Sequence, residues 1–398
     1  MSGRVQVILF YDKRNLGSLN ALCGAFEAAG LAELADLHLV RDREELVGRV
    51  LATRDAPTLV GISFATPQLW DIQDLLVALA GRPPGVVLVA GGPHPTAMPE
   101  QTRAMGFDVV VAGAGEQAFV ELVQGITGAS PIRPISSFFP SVAPTLGAVG
   151  SVEITRGCPF RCGYCQTPRI FPGPARHVPI DHIVSQLAAQ RAHRVRDFRF
   201  VAPNAFGYGA AAGRTDPAVV EALLAEAKAA VQGGRLFFGS FPSEVRPESV
   251  SPEMLELVKR FAHNDNLTMG LQTGSERLLA SIGRGHTVAQ VMTAVELAAR
   301  SGFAVNVDVI FGMPDETDED TSETLRAMRE LIRIGAKIHA HGYVPLPGTH
   351  WWPRPPAPPP AFLDASLNRL IPTGRLFGHW QAQRRLAERI LRQLHPAP

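Results

Sequence analysis

The sequence predicts an α/β protein: an N-terminal doubly wound sheet, then a partial (β/α)6 barrel, then a small C-terminal helical appendage. Two series of short apolar runs alternating with helical segments predict the first two parts, over residues 1–128 and 151–350. A Pro-, Ser- and Gly-rich linker at 129–150 separates them, and a proline-dense stretch sets off residues 351–398. Strand–helix alternation of this kind builds right-handed βαβ units and parallel sheets.

In the first series, residues 5–11, 36–40, 58–64, 86–90 and 108–112 read as strands, apolar and too short for helices. Residues 18–30, 42–53, 69–80 and 118–127 carry helical spacing. The result is a Rossmann-like open sheet. Phe138 and Phe139 in the linker are expected to dock on one of the domains. In the second series, strands are expected at 151–155, 197–201, 236–241, 267–272, 304–311 and 337–343. Helices are expected at 180–195, 216–232, 252–262, 288–301 and 319–334. Six strands close only part of a barrel, and ligands of parallel sheets gather at the C-terminal strand ends. WWPRPPAPPPAF, from residue 351, can be neither helix nor central strand and is expected to be a stiff connector that wraps the barrel. Residues 380–394 read as a helix with a solvated basic face.

The chain has 398 residues, 46% hydrophobic and 19% charged, which is ample material for two cores. A formal net charge of +1 and the lack of a dense Lys/Arg stripe give no electrostatic reason for a nucleic-acid partner. The apolar runs are strand-length, so no membrane partner is expected. The N-terminus enters a strand and a charged loop directly, without the apolar stretch of a secretory signal, and a cytoplasmic protein is the expectation.

There are four cysteines. Cys23 stands alone in an Ala-rich helical segment and is expected to be a small buried hydrophobe. Cys158, Cys162 and Cys165 lie in EITRGCPFRCGYCQTP, spaced C-x3-C-x2-C, directly after the first barrel strand. So tight a group is no disulfide framework and points to metal. Three thiolates can hold three irons of a cubane cluster and leave the fourth iron open. The alternative is a structural zinc, which needs a fourth ligand, and His177 is the nearest candidate.

With the aromatic Tyr164 just before the last cysteine, this segment resembles the radical-SAM superfamily. LTMGLQTGSER (267–277) is similar to the fourth-strand segment of its Elp3/MiaB-like core, and VIFGMPDET (309–317) to the fifth-strand motif, with Asp315 where glycine is usual. The resemblance implies a [4Fe–4S] cluster on the three cysteines and S-adenosylmethionine (SAM) chelated at the open iron. An electron from the reduced cluster then breaks a carbon–sulfur bond of SAM and yields a 5′-deoxyadenosyl radical. An electron donor of flavodoxin or ferredoxin type is therefore an implied partner. By the same resemblance Tyr164 lies near the adenine, and Gln272, Ser275 and Gly312 border SAM. Ser243, Glu244 and Arg246 follow the third strand, where a polar group holds the ribose or amino-acid part. Glu244 would accept from the SAM ammonium and Arg246 would pair with its carboxylate. Asn204 stands where the family often has an acidic or Gly-Gly-Glu element.

In the first domain SFATP, GGPHP and GAGE fall at strand ends, where glycines let backbone amides approach a ligand. No G-x-G-x-x-G follows the first strand, which argues against a dinucleotide. The order resembles the cobalamin-binding (B12-binding) domain joined to many radical-SAM enzymes, over about residues 4–128, most clearly in GGPHPTAMPE and GEQAFVEL. Asp12 is followed by KRNLG, so the lower histidine ligand of one cobalamin branch is absent. Ser63, Thr66, Gly91, Gly92 and Glu116 are the candidates to hold the corrin or its nucleotide tail. His94 is expected to be a loop residue rather than a cobalt ligand.

Together these resemblances imply a cobalamin-dependent radical-SAM methyltransferase acting on an unactivated carbon of a small-molecule biosynthetic intermediate. The radical removes a hydrogen atom and the carbon radical takes the methyl group of methylcobalamin. A radical-SAM cyclisation or rearrangement without methyl transfer, and a non-catalytic corrinoid- or SAM-binding sensor, are the alternatives. A methylthiotransferase would bring further N-terminal cysteines and an RNA-binding module, and neither is evident. Tyr208, His339, His341 and Tyr343 lie near predicted strand ends and are candidates to quench a radical or move a proton. Trp351, Trp352, Phe362, Phe377 and Trp380 are expected to form the core of the C-terminal appendage, a cap over a planar substrate being the alternative.

Overall fold

A computed structural model describes residues 4–54, 56–128, 138–211 and 214–396. It divides into two compact units, one running to Ser151 together with Arg169–Phe171, the other Val152–Pro168 and Pro172 onward.

In the first unit, β1 (Val5–Phe10), β2 (Ala35–Val40), β3 (Thr58–Ser63), β4 (Val86–Gly91) and β5 (Val109–Val110) pair in parallel in the order β2-β1-β3-β4-β5. The chain leaves β1 toward one edge and β3 toward the other, so the order reverses between them. That switch point opens a crevice at the C-terminal strand ends. β3 is buried along its whole length, as expected of a central parallel strand covered on both faces. The helices Leu16–Ala28 and Glu116–Thr127 share a core with β1, and Cys23 lies wholly inside it, as its apolar context predicts. Burial pushes its thiol up to about 12, which keeps it protonated and inert. The described part of the linker belongs to this unit: Ala143 and Ala148 form an antiparallel bridge and are buried in the same core, with Phe139 packed against it. Residues 129–137 of that linker lie outside the described residues.

In the second unit the first expected strand is split into β6 (Val152–Glu153) and β7 (Thr155–Arg156), and β7 pairs antiparallel with β8 (Arg176–His177). The parallel strands are then β9 (Asp197–Val201), β10 (Arg235–Phe237), β11 (Asn266–Gln272), β12 (Ala304–Phe311) and β13 (Lys337–Gly342). They form a β10-β9-β6 sheet and a sheet that begins β11-β12-β13, linked by a parallel bridge between Val245 and Met269. The expected third strand ends four residues early, because beyond Phe237 only isolated bonds such as Thr268 N–H to Gly239 O, 3.1 Å, join it to β11.

The C-terminal part is not purely helical. β14 (Leu376–Gly378) extends the barrel sheet beside β13. Its three residues carry no period that a sequence reading detects. Glycine is required at its end: a Cβ on Gly378 would lie 2.0 Å from Ala340 O. The proline-dense stretch lies across the strand ends of β12, where Ala357 N–H donates to Gly312 O at 3.1 Å. The helix Trp380–Leu394 follows. Helix starts are set by side-chain caps at the expected places: Ser251 accepts from Met254 N–H at 3.2 Å, and Thr287 and Gln290 form a capping box. Such a cap contributes about 1 kcal/mol.

Candidate active site

The three cysteines lie in a loop whose base is closed by the β7–β8 ladder, so residues 157–175 leave and rejoin the barrel at one point. Two long-range backbone bonds hold its middle: Gly163 N–H donates to Ile282 O at 2.9 Å, and Trp351 N–H donates to Gly163 O at 3.0 Å. Gln166 Nε2 donates to Pro347 O at 2.8 Å. Cys165 N–H donates to Cys162 O at 3.0 Å, a tight turn. Burial pushes the Cys158 and Cys165 thiols up, so loading a metal must displace their protons.

A structural zinc on the three cysteines would need His177 as its fourth ligand. Among the described residues, the only trio of His, Cys, Asp or Glu ligand atoms all within 4.8 Å of one another belongs to Asp308, His339 and His341. His177 is committed elsewhere, its Nδ1 to Thr155 Oγ1 at 3.0 Å and its Nε2 to Ala210 O at 3.2 Å.

Arg284 is the residue that sequence reading missed. It is 8% exposed, and its Nη1 lies 3.9 Å from Cys162 Sγ. Burial opposes its charge, but Tyr164, Cys162 and Glu244 around it more than offset that and hold the guanidinium protonated. The only signal was SIGRGH: Gly283 and Gly285 both adopt positive φ, 71° and 78°, and turn the arginine inward between them. Gln272 lies beside it. Its φ is 69°, at an irregularity in β11, and its amide folds over Gly270. A Cβ on Gly270 would meet Gln272 Nε2 at 2.0 Å and Arg284 Nη2 at 2.7 Å. Glu244 faces the same charges: burial first, then Asp308, raises its carboxyl, while Arg284, His341 and Arg246 lower it.

Several expected ligand contacts turn inward instead. Arg246 is 3% exposed, paired with Glu248, bonded to Arg284 O and stacked 3.4 Å from the Phe160 ring. These contacts brace the cysteine loop. Asn204 Oδ1 accepts from Arg246 N–H and Ser249 Oγ, each at 3.1 Å. Ser243 Oγ donates to Phe200 O at 2.7 Å and accepts from Ala202 N–H at 3.1 Å. Ser275 caps the helix Glu276–Ile282 and bonds Asp320 at 2.5 Å. Gly312 lies under the proline-dense segment, its carbonyl taken by Ala357. Asp315 adopts the φ of 62° that the usual glycine would, and its carboxylate pairs with Arg354.

Tyr208 is buried and donates its hydroxyl proton to Val178 O at 2.6 Å, a structural bond. Tyr343 is also buried, in a cluster with Cys162, Met313 and Trp351. Trp351 therefore belongs to the cysteine loop rather than to the appendage core: its ring lies 6.4 Å from Tyr164 and 5.9 Å from Tyr343. Trp380 does serve the appendage, its Nε1 donating to Asp364 at 3.2 Å. His339 and His341 stand side by side on β13 facing Asp308 on β12.

In the first unit, Ser63 and Gly91 end β3 and β4, on one side of the switch point. Ser63 Oγ and Gln68 Nε2 are buried there without a hydrogen-bond partner, two polar groups aimed at nothing in the protein. A Cβ on Gly91 would meet no atom within 4 Å, and Gly92 adopts φ 98° close under Ser63 Oγ. Glu116 is buried at the start of its helix. Thr66 is not part of this opening: it is fully buried and bonds His94 Nδ1 at 3.0 Å. His94 is no loop residue. It sits in the helix Pro93–Ala97, fully buried, stacked on Phe64, with Nε2 2.8 Å from Gln101 Oε1. Both nitrogens are used, so it cannot ligate cobalt.

The Radical SAM superfamily description matches residues 152–328, and the B12 binding domain matches residues 14–123. The chain is a radical-SAM protein with a B12-binding domain. Its cofactors are accordingly a [4Fe–4S] cluster, SAM and cobalamin. Among relatives, a tRNA-2-methylthio-N(6)-dimethylallyladenosine synthase of Sorangium cellulosum is 32% identical over 219 residues, 51% of this chain and 42% of that protein. An "uncharacterized methyltransferase" of Pyrococcus horikoshii is 24% identical over 331 residues, 74% of this chain and 69% of that protein. The chain spans less than half the length of the first curated relatives it matches. The fold resembles that of the radical SAM methyltransferase TsrM of Kitasatospora setae, with a TM-score of 0.67 at 17% identity, covering 88% of this chain and 77% of the other.

Both cofactor sites fit the residues present. The three cysteines on one loop, with Arg284 beside Cys162, suit the cluster. The unpartnered Ser63 hydroxyl and Gln68 amide beside the open face of Gly91 suit the amide-rich rim of a corrin. No helix among the described residues is long and apolar enough to cross a membrane.

Proposed function

We propose that this radical-SAM protein is a cobalamin-dependent methyltransferase acting on an unactivated carbon of a small biosynthetic intermediate. It would work in the cytoplasm with a flavodoxin- or ferredoxin-type electron donor. The observation that carries the reading is the presence, in one chain, of the three-thiol loop under Arg284 and the cradle of Ser63, Gln68 and Gly91. The named methyltransferase relative, matched over 69% of its length, supports methyl transfer.

Bound together, the cofactors supply a hydrogen-abstracting 5′-deoxyadenosyl radical and a cobalt-borne methyl group. The chain's own residues hold and shield. Arg284 keeps a buried positive charge beside Cys162, which favours electron density on the cluster side of the site. Trp351, Tyr343 and Met313 pack around Cys162 and keep water from it. Tyr164 offers an aromatic edge for the adenine, and Gln272 an amide beside Arg284. Glu244, raised by burial and relieved by Arg284, is the carboxyl positioned to accept from the SAM ammonium. Tyr208 and Tyr343 serve packing.

The test is anaerobic reconstitution with iron, sulfide and hydroxocobalamin, then turnover with candidate substrates and mass analysis. Methyl transfer gives a product one CH2 heavier, together with 5′-deoxyadenosine. 5′-Deoxyadenosine with a product of unchanged mass means cyclisation or rearrangement. The Cys158→Ala, Cys162→Ala, Cys165→Ala variant is the control, and cluster absorbance surviving in it refutes the site.

A further inference from the structure

We propose that Asp308, His339 and His341 form a mononuclear divalent-metal site inside the barrel, separate from the cysteine loop. Register brings them together: Asp308 on β12 is the direct partner of His339 on β13, and His341 follows two residues on, on the same face. Burial alternates along both strands, with Val307, Val309, Ile338 and Ala340 buried and these three partly open at 14%, 32% and 27%.

Three ligand atoms converge. His339 Nδ1 lies 2.9 Å from Asp308 Oδ1, His341 Nε2 lies 3.1 Å from His339 Nδ1, and His341 Nε2 lies 3.6 Å from Asp308 Oδ1. Without a metal, His339 Nδ1–H and His341 Nε2–H can both point at Asp308 Oδ1. With those two protons lost, three lone pairs converge. The acceptors point at one spot, and a cation there satisfies all three.

The spacing is that of a metal face. Bonds of about 2.0–2.2 Å separate ligand atoms by about 2.9 Å at octahedral and about 3.5 Å at tetrahedral angles. Two imidazoles and one carboxylate are a borderline donor set suited to Fe2+ or Zn2+, with the remaining positions open to water or a substrate heteroatom. The ligands are also held in place. Phe377 on β14 stacks on His339 at 4.5 Å and 10°. Gln383 accepts from Gly342 N–H at 2.9 Å and sets its amide nitrogen 3.4 Å from His341 Nδ1. Metal on Nε2 places the proton on Nδ1, so a carboxylate at 383 would serve both neighbours better than the amide does.

The experiment titrates Co2+ into the chelator-stripped Cys158→Ser, Cys162→Ser, Cys165→Ser chain, followed by calorimetry and the visible d–d bands of the metal. If that variant does not fold, the cluster-loaded wild-type chain is titrated instead. The expected result is one equivalent bound with nitrogen/oxygen-type bands and no thiolate charge-transfer band. Affinity should fall at least tenfold in Asp308→Asn, His339→Gln and His341→Gln, each checked for an unchanged circular dichroism spectrum, and rise in Gln383→Glu, which keeps all three ligands. Failure to bind an equivalent of Co2+, affinity indifferent to the three ligand substitutions, or weaker binding in Gln383→Glu overturns the site. The measurement is independent of methyl transfer, so its outcome and that of the proposed activity separate.

Discussion

Replacing Gly163 by alanine forces a methyl group into the indole of Trp351. The added Cβ would lie 2.4 Å from Cε2, 2.5 Å from Nε1 and 2.7 Å from Cδ2 of that ring. Carbon–carbon contact is comfortable at about 3.5–4.0 Å, so the ring and the cysteine loop must part by roughly 1 Å. Neither yields easily. Trp351 is 3% exposed, and its N–H is bonded to the carbonyl of Gly163 itself. Overpacking of this kind costs about 1–3 kcal/mol. Trp351→Ala alone costs about 3–5 kcal/mol but empties the space. In the double variant the methyl meets no ring, so the two changes together should cost about 1–3 kcal/mol less than their sum. The assay is anaerobic urea unfolding of the four proteins of the cycle, with iron content after reconstitution measured in parallel. Gly163→Ala should also lower iron content. Strict additivity, or a neutral Gly163→Ala, would refute the packing of Trp351 on the cysteine loop.

Three further expectations concern other parts of the molecule. Burial raises the Glu316 carboxyl to about 7 although it accepts from Met313 N–H and Thr321 Oγ1. A raised carboxyl contributes stability that is full below about 4.5 and is lost as pH rises through about 7. At about 1.4 kcal/mol per unit, up to ~3 kcal/mol should fade between pH 5 and 8, and Glu316→Gln should flatten that slope in denaturant midpoints. Burial lowers His94, so its contribution is present above its unfolded value of about 6.5 and is lost as pH falls further. Thermal midpoints should drop on acidification, and less steeply in His94→Gln; equal slopes would contradict the assignment. Gly91→Val places its side chain in open space at the end of β4, so stability should change by less than about 0.5 kcal/mol. Titration with hydroxocobalamin should nonetheless show at least tenfold weaker binding, and unchanged binding would remove Gly91 from the cradle.

Much of the candidate site was legible because its signals are local. C-x3-C-x2-C specifies three thiols on one loop whatever surrounds it. Asp315 illustrates the limit of local reading. It departs from the family's glycine, yet it adopts a positive φ of 62°, and its carboxylate pairs with Arg354. Arg246, Asn204 and Ser243 all bond protein here, because a polar residue at a strand end bonds protein as readily as ligand. Their partners are Phe160, Glu248, Ser249 and Phe200, and these are known only from the folded chain.

By itself the sequence determined the strand–helix alternation, the cysteine loop and the two cofactor domains. These depend on periodicity, on turn chemistry and on residues a few positions apart. Only the tertiary structure decided that Arg284 stands over Cys162, that Trp351 covers Gly163 and that Asp308 meets His339 and His341. Those contacts join residues from 31 to 188 positions apart in the chain, such as Asp308 with His339 and Gly163 with Trp351. Such distances close only when strand register and side-chain packing are set throughout the barrel, and no local pattern encodes them.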